Sequence, residues 1–363
     1  MKIIAKVGTE AIAIAYIAEM NGGKLIEFTE SLQPPIPREE KWILTVSTLY
    51  GCPVGCRFCD AGGYYQGKLS KDEMISQIDY LIKRRFPDAK VEVKKFKIQF
   101  ARMGEPAFNQ NVLNVLEELP QLYDAPGLMP SLSTIAPKGT DRFFQKLLEI
   151  KKKIYKERFQ LQFSIHTTDA KLRDWLIPGG KWHLEKIAKY GESFYRKGDR
   201  KITLNFALAD AMPISPNVLL HHFTPDKFLI KITPVNPTYQ ADKNKISSHI
   251  LPNKGEYSII NVLREAGYEV ILSIGELAEN DIGSNCGQHI TNYLKGKKNI
   301  KGGYTCLLHK TFERKPSPKS IYAVGKVNKI QKRQDLFSRW QVTRSRKKRA
   351  MEEMNYVMDS DSG

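Results

Sequence analysis

Three cysteines stand close together in the stretch LYGCPVGCRFCDAGG, residues 49–63. Cys52, Cys56 and Cys59 account for three of the five cysteines in a chain of 363 residues, and their spacing is C-x3-C-x2-C. An odd number of crowded thiols does not suit the disulfide framework of a secreted protein, whereas in a reducing compartment such a group is typical of metal binding or catalysis. We therefore expect a cytoplasmic protein that binds a metal through these thiolates.

The spacing favours an iron–sulfur cluster over zinc. Zinc sites prefer paired C-x2-C units and four ligands, and the sequence places no fourth ligand at a matching spacing. Three thiolates suit a 4Fe–4S cluster in which they hold three irons, while the fourth iron stays open to a substrate or cofactor. A structural zinc knuckle or a chance grouping of thiols is the alternative. Four flanking glycines would let the backbone wrap closely around a cluster: Gly51, Gly55, Gly62 and Gly63.

The elements that must position these thiols alternate between strand-like and helix-like runs from residue 41 onward. An apolar strand, WILTVST (42–48), leads into the cysteine loop, and an amphipathic helix, KDEMISQIDYLIKRRF (71–86), follows it. Repeated units of this kind predict parallel strands with right-handed crossovers, and six or seven of them favour a barrel or partial barrel. The predicted fold class is α/β, a partial (β/α)6 barrel with a small N-terminal β appendage and a basic C-terminal extension. Further strands are predicted at 94–101, 130–137, 159–166, 200–208 and 227–235.

Charge and composition suggest three regions. We expect an N-terminal β appendage with a Pro-rich linker at 1–40, the core at 41–294 and a basic extension at 295–363. The chain has a net charge of +18, and residues 295–350 contain 18 Lys or Arg and 2 acids, which leaves the remainder close to neutral. A basic tail on a neutral body predicts a polyanionic partner such as nucleic acid; a solvated tail that aids solubility is the alternative. No stretch is long enough to span a membrane.

The thiol motif and five later motifs together resemble a known family. C-x3-C-x2-C with an aromatic residue just before the third cysteine is the signature of radical S-adenosylmethionine (SAM) enzymes. From about residue 42 to 292 the chain resembles the RlmN/Cfr-type methyltransferases, which modify adenine C2 or C8 in ribosomal and transfer RNA. The motifs that carry the likeness are ARMGEPAFNQNVL (101–113), LSTIAP (132–137), FSIHTTDAKLRDWLIP (163–178), ITPVNPT (232–238) and NCGQHI (285–290).

The resemblance implies cofactors, partners and site residues. It implies a radical-SAM barrel with a 4Fe–4S cluster on the three cysteines, SAM on the open iron, an rRNA or tRNA substrate, a reductant such as flavodoxin or ferredoxin, and a monomer. Glu105 can accept a hydrogen bond from the SAM ammonium group, and Ser133 and Asn236 can hold the ribose hydroxyls or the carboxylate. A helix N-terminal acid is the alternative for Glu105, and a polar strand end is the alternative for His166. The implied SAM contacts are Gly104, Glu105, Ser133, Ser164, Ile165, His166 and Asn236.

The resemblance also implies two cysteine roles, of which the chain retains one at its expected place. In the family the cysteine of CGQ carries the methyl group to the base, and Cys286 occupies that position. A second cysteine, seven positions before the first cluster ligand, helps to release the product through a disulfide. Thr45 stands there instead, and a hydroxyl cannot perform thiol exchange. Cys306 is either a relocated resolving thiol or an incidental one.

Three hypotheses about function follow. The leading one is a radical-SAM enzyme that methylates adenine in a structured RNA by way of Cys286, with Glu105 in the site. The second is a radical-SAM enzyme of the same fold with a substrate other than RNA. The third is a non-catalytic RNA-binding protein on a relic scaffold, which the retained cluster motif, Glu105 and Cys286 disfavour.

Overall fold

Twelve strands and nine helices make up the part of the chain described by the computed structural model, which covers residues 1–250, 257–276, 278–285 and 289–290. All of these residues lie within one compact unit. Cys286, Cys306 and the basic extension lie outside the described residues, so the predicted domain boundaries remain predictions. Within the described ranges, no helix is both long and apolar enough to cross a bilayer.

The strands form one large sheet and one small one. Ten strands lie in the order β1-β2-β3-β4-β7-β8-β9-β10-β11-β12, and β5 pairs with β6 in a separate two-stranded sheet. The bounds are β1 (Lys2–Thr9), β2 (Ala13–Glu19), β3 (Leu25–Ser31), β4 (Lys41–Val46), β5 (Leu49–Gly51), β6 (Tyr65–Lys68), β7 (Lys95–Phe100), β8 (Leu128–Thr134), β9 (Gln160–Ser164), β10 (Ile202–Ala207), β11 (Phe228–Thr233) and β12 (Val270–Leu272).

Pairing is parallel from β4 to β12, and helices connect the parallel strands. This confirms the predicted α/β class with its mostly parallel sheet. The helices are α1 (Lys71–Arg85), α2 (Asn111–Leu122), α3 (Asp141–Ile150), α4 (Ala170–Leu176), α5 (Leu184–Phe194), α6 (Pro216–His222), α7 (Tyr239–Lys243), α8 (Ser258–Glu265) and α9 (Ala278–Ile282). A π-helical turn, Lys151–Tyr155, extends α3.

Alternation along the strands separates an apolar face from a polar one. In β7 the side chains of Phe96, Ile98 and Phe100 are fully buried in the main core, whereas Lys97 and Gln99 point to the other face. Successive strand residues point to opposite faces, so this pattern puts apolar side chains under the helices and polar ones inside the curved sheet. The interior of the partial barrel is therefore the polar face.

The N-terminal strands continue the sheet. β3 pairs antiparallel with β4, with Thr29 opposite Thr45 and Ser31 opposite Ile43. Glu30 of β3 is buried and accepts hydrogen bonds from the Tyr16 hydroxyl at 2.6 Å and, at both oxygens, from the Arg85 guanidinium of α1. The predicted N-terminal strands are thus present, and a partly buried ion pair between Arg85 and Glu30 ties them to the first helix of the core.

Candidate functional site

A cavity of about 410 Å³ lies at the carboxyl ends of the parallel strands, where barrel folds place their sites. It brings together nearly all of the residues predicted for the site. Two predicted residues are not on its wall: the Ile165 side chain is fully buried in the core, and Cys286 lies outside the described residues. Asn285, next to Cys286, also lines the cavity, as does Thr45. The predicted residues on its wall are Cys52, Cys56, Cys59, Gly104, Glu105, Ser133, Ser164, His166 and Asn236.

The cysteine loop is tightly folded on its own backbone. The Cys52 N–H donates to the Tyr64 carbonyl at 3.1 Å, and the Cys59 N–H donates to the Cys56 carbonyl at 3.1 Å. A Cβ on Gly62 would lie 2.8 Å from the Cα of Gly55, a contact that real side chains do not make. Glycine at position 62 therefore lets two segments of the loop pass each other in direct backbone contact.

The start of α7 holds the cysteine loop in place. The Asp60 carboxylate accepts from the first two backbone N–H groups of α7, at 3.1 and 2.9 Å. The Thr238 hydroxyl donates to the Phe58 carbonyl at 2.7 Å, and the Asn244 amide donates to the Arg57 carbonyl at 2.8 Å. An acid at a helix N-terminus satisfies otherwise unpaired N–H groups. The sequence analysis missed these three side chains, although Thr238 three residues before Ala241 is a recognisable helix start.

The donor set of the loop fits an iron–sulfur cluster. Among the described residues, none of the three thiols is in a disulfide. Burial raises the pKa of Cys52 to about 11 and raises the pKa of Cys56 further. These thiols are therefore protonated near neutral pH unless a cation binds, and a bound metal deprotonates its thiol ligands. In the described part of the chain no three His, Cys, Asp or Glu side chains converge closely enough to hold a single metal ion.

Glu105 is buried against the cavity with both carboxylate oxygens engaged. It accepts from the Ala107 N–H at 3.1 Å, where it caps the 3-10 turn Pro106–Phe108, from the Ile135 N–H at 2.9 Å and from the Thr134 hydroxyl. Burial raises its pKa to about 7 despite these three bonds. Glu105 therefore does cap a helical turn, which was the alternative to its predicted role as a SAM contact. A carboxylate has further lone pairs, so contact with SAM remains a prediction.

Gly104 and His166 both require the left-handed backbone region. Gly104 has φ +97°, and a Cβ there would lie 2.4 Å from the Leu49 side chain. His166 has φ +65°, and its Nδ1 accepts from the Ala207 N–H at 2.9 Å. Burial lowers the pKa of His166 to about 3, so the ring is neutral and its proton lies on Nε2. Its ring meets Phe58 edge to face, 4.9 Å between centroids, and so supports the loop between Cys56 and Cys59.

Two further polar positions on the cavity wall are held by neighbouring strands. The Ser133 hydroxyl accepts from the Gln162 amide at 3.2 Å. The Thr45 hydroxyl donates to Gln99 Oε1 at 3.3 Å. Thr45 therefore faces the same space as the cluster cysteines.

A buried ion pair holds both flanks of the segment that contains Cys286. Arg102 Nη2 lies 2.7 Å from Glu27 Oε2, with the side chains 1% and 0% exposed. The same guanidinium donates to the carbonyls of Gly283, Ser284 and Asn285 at 2.7–2.8 Å. On the far flank, the Ile290 N–H donates to Glu27 Oε1 at 2.6 Å. Neither Arg102 nor Glu27 was predicted to be a site residue, because nothing in the sequence indicates that two residues 75 positions apart form a pair.

Comparison with known proteins supports the same assignment. No model of a known protein family matches the chain. A "Probable RNA methyltransferase" of Ectopseudomonas mendocina is 31% identical over 255 residues, 68% of this chain and 66% of that protein. A "Probable dual-specificity RNA methyltransferase RlmN" of Acaryochloris marina is 23% identical, over 73% of each protein. A "Ribosomal RNA large subunit methyltransferase N" of Nitrosopumilus maritimus is 26% identical, over 74% of this chain and 77% of that protein.

A solved structure shares the fold. The crystal structure of a radical SAM methyltransferase from Sphaerobacter thermophilus matches with a TM-score of 0.57 and 19% identity, over 79% of this chain and 80% of that one. The chain thus has the fold of a radical SAM methyltransferase, the class of enzyme to which the sequence motifs also point. The relatives show that the chain belongs to the RlmN/Cfr-type family of radical-SAM enzymes, as the sequence motifs predicted.

Proposed function

We propose that this enzyme is a radical-SAM RNA methyltransferase that acts on adenine in a structured rRNA or tRNA. The observation that carries the proposal is the shared cavity, whose wall includes the three cysteines, Glu105 and Asn285, the neighbour of Cys286. The names of its relatives, all RNA methyltransferases, support RNA as the substrate. The net charge of +18 supports a polyanionic partner.

Each group in the cavity has a role that its surroundings allow. Cys52, Cys56 and Cys59 would hold a 4Fe–4S cluster and leave one iron for SAM. When bound, the reduced cluster supplies the electron that cleaves SAM, and SAM supplies the methyl group. Glu105 keeps lone pairs that can accept from the SAM ammonium group, and neutral His166 presents an Nε2–H donor. The remaining contacts would come from Gly104, Ser133, Ser164, the Ile165 backbone and Asn236.

Cys286 would carry the methyl group, and Arg102 and Glu27 would position it. Their bonds to residues 283–285 and 290 leave four residues, 286–289, between two anchored ends. A short span between fixed ends restricts the reach of a thiol, and restricted reach favours one reacting geometry. We further propose that the enzyme is a monomer and takes its electrons from a small protein such as flavodoxin or ferredoxin.

A second candidate is a radical-SAM enzyme of this fold with another substrate. Thr45 favours it, because the position of the resolving thiol faces the cavity but bears a hydroxyl. Either the release step differs from that of the family, or the product needs no thiol to release it.

The test uses anaerobically reconstituted full-length protein. After reconstitution we expect about four irons and four sulfides per chain. When dithionite and SAM are added, we expect 5′-deoxyadenosine to form. Mass spectrometry of the digested protein should detect a methyl group on Cys286. After incubation with rRNA or tRNA, the RNA should contain methyladenosine. Cys286→Ala should still bind iron but transfer no methyl group. Protein that binds only zinc would contradict the cluster, and modification of a substrate other than RNA would favour the second candidate.

A further inference from the structure

The charged side chains that face inward from β4 and β7–β11 are all lysines. Lys41 of β4 and Lys95 of β7 are direct neighbours in the parallel register, and Lys97 lies on the same face of β7 two residues further on. Lys231 of β11 also faces inward and lines the cavity. Apart from these four lysines, all inward-facing residues of β4 and β7–β11 are neutral, as the strand register shows. Four lysines thus share one interior without a carboxylate on those strands, although Lys231 already interacts with another group.

Lys97 is the most deeply placed of the four. Its side chain is 9% exposed, and the described residues provide no hydrogen bond or ion pair to its ammonium group. The charged groups that act on it are all cationic: Lys231, Lys41, Lys95 and Arg200. Burial, and then these cations, lower the pKa of Lys97 well below its ordinary value. Burial, and then neighbouring cations, also lower the pKa values of Lys41 and Lys95. The Lys41 ammonium group also donates a hydrogen bond to Gln33 Oε1.

This arrangement costs stability in the absence of a ligand. Lysine is rarely buried without a partner, and like charges side by side on neighbouring strands repel. A bound anion would offset both costs, because the Lys97 ammonium group would gain a charge-assisted hydrogen bond and the repulsion between the cations would be screened. The partly exposed Lys41 and Lys95 and the exposed Arg200 leave this group open to solvent at the amino ends of the strands.

We propose that Lys41, Lys95, Lys97 and Arg200 form a binding site for a phosphate oxyanion. Phosphate carries up to two charges and several acceptor oxygens, so cations on β4 and β7 and the Arg200 guanidinium, just before β10, can bind it from different sides. A single carboxylate offers fewer acceptors for four cations. Lys41, Lys95 and Lys97 precede Thr45 and Gln99, which line the SAM cavity, on their own strands, and the site does not require the catalytic proposal to be correct.

The primary test is phosphate binding to the full-length protein. Isothermal titration with inorganic phosphate, at ionic strength matched with chloride, should show saturable binding. Lys97→Met should weaken that binding roughly tenfold or more, while its melting temperature without phosphate stays equal or rises because the repulsion is removed. Lys189→Met, an exposed position on α5, is the matched control and should bind like the wild type. Lys95→Met, at a partly exposed position, repeats the test if Lys97→Met does not fold.

A second arm distinguishes the source of the phosphate. If the site takes backbone phosphates of RNA, Lys97→Met should weaken binding of an RNA oligonucleotide and reduce its salt slope by about one. Undiminished RNA binding together with lost phosphate binding would assign the site to a free phosphate compound. The proposal is overturned if wild-type protein shows no phosphate binding beyond chloride, or if Lys97→Met and Lys95→Met both bind phosphate like the wild type. None of these measurements uses SAM or the cluster, so their failure is separate from failure of the proposed function.

Discussion

Arg102 and Glu27 are joined at 2.7 Å in a pair that is almost fully buried, and this pair links the N-terminal sheet to the segment around Cys286. Glu27 belongs to β3, whereas Arg102 follows β7 in the ARMGEP motif. Their remaining hydrogen bonds go to backbone groups on both sides of residues 286–289. The N-terminal strands therefore do more than extend a sheet, because one of them supplies an anchor for the proposed methyl carrier.

Breaking this pair should loosen the segment and lower stability. Removal of one partner of a buried ion pair costs about 3–5 kcal/mol, so Glu27→Gln and Arg102→Met should lower the free energy of unfolding by roughly that amount. They should also change the rate at which Cys286 reacts with an alkylating reagent, measured by mass spectrometry. Arg84→Met is the control, since its pair with Glu10 is partly exposed and such pairs contribute less than about 1 kcal/mol. Equal effects of all three substitutions would contradict a special role for Glu27 and Arg102.

Asp60 should be needed to shape the cysteine loop for its metal. Asp60→Ala leaves two N–H groups at the start of α7 without their acceptor, and loss of such a cap costs about 1–2 kcal/mol. We expect less iron and sulfide per chain after reconstitution, together with reduced unfolding free energy. Asp242→Ala, at an exposed position in the first turn of the same helix, should leave the iron content unchanged. Full iron loading of Asp60→Ala would show that the anchor is dispensable.

His166 should make the metal-free protein sensitive to acid. Burial holds its pKa near 3, below the ordinary 6.5, so the folded state favours the neutral ring. That contribution is fully present above pH 6.5 and is lost as the pH falls through 6.5 towards 3, at up to about 1.4 kcal/mol per pH unit. His166→Asn keeps a residue type that tolerates positive φ. Denaturant unfolding from pH 7 to pH 4.5 should give a shallower loss for the variant, and parallel curves would contradict the assignment.

Thr45 offers a direct test of product release. If the reaction forms a protein–RNA adduct through Cys286, the wild-type protein should release it slowly, because no thiol stands at position 45. Thr45→Cys should reduce the adduct that mass spectrometry detects after a single turnover and increase later turnovers several-fold. Thr45→Val removes only the hydroxyl that bonds Gln99 and should behave like the wild type. Identical adduct levels in all three proteins would indicate that release does not depend on this position.

Much of the fold was predictable because its causes are local. The alternation of apolar and polar residues in KFKIQF and the apolar runs of the other parallel strands determine which face each strand buries. The helix at 71–85 begins at Ser70, whose hydroxyl accepts from the Glu73 N–H while the Glu73 carboxylate accepts from the Ser70 N–H. Such a capping box can be read directly from the sequence.

The gaps in the prediction are all long-range. Asp60 meets α7 across about 180 residues, and Glu27 meets the flank of Cys286 across 263. No periodicity or spacing encodes such a meeting.

The sequence by itself determined the thiol motif, the order of strands and helices, and the family to which the chain belongs, since these depend on residue types at short separations. The tertiary structure alone decided which side chains meet: the N-terminal strand with the Cys286 segment, α7 with the cysteine loop, and four lysines on one inner face. These contacts arise when distant strands become neighbours in a sheet, and the free energy of each contact depends on burial and charge that exist only in the folded chain.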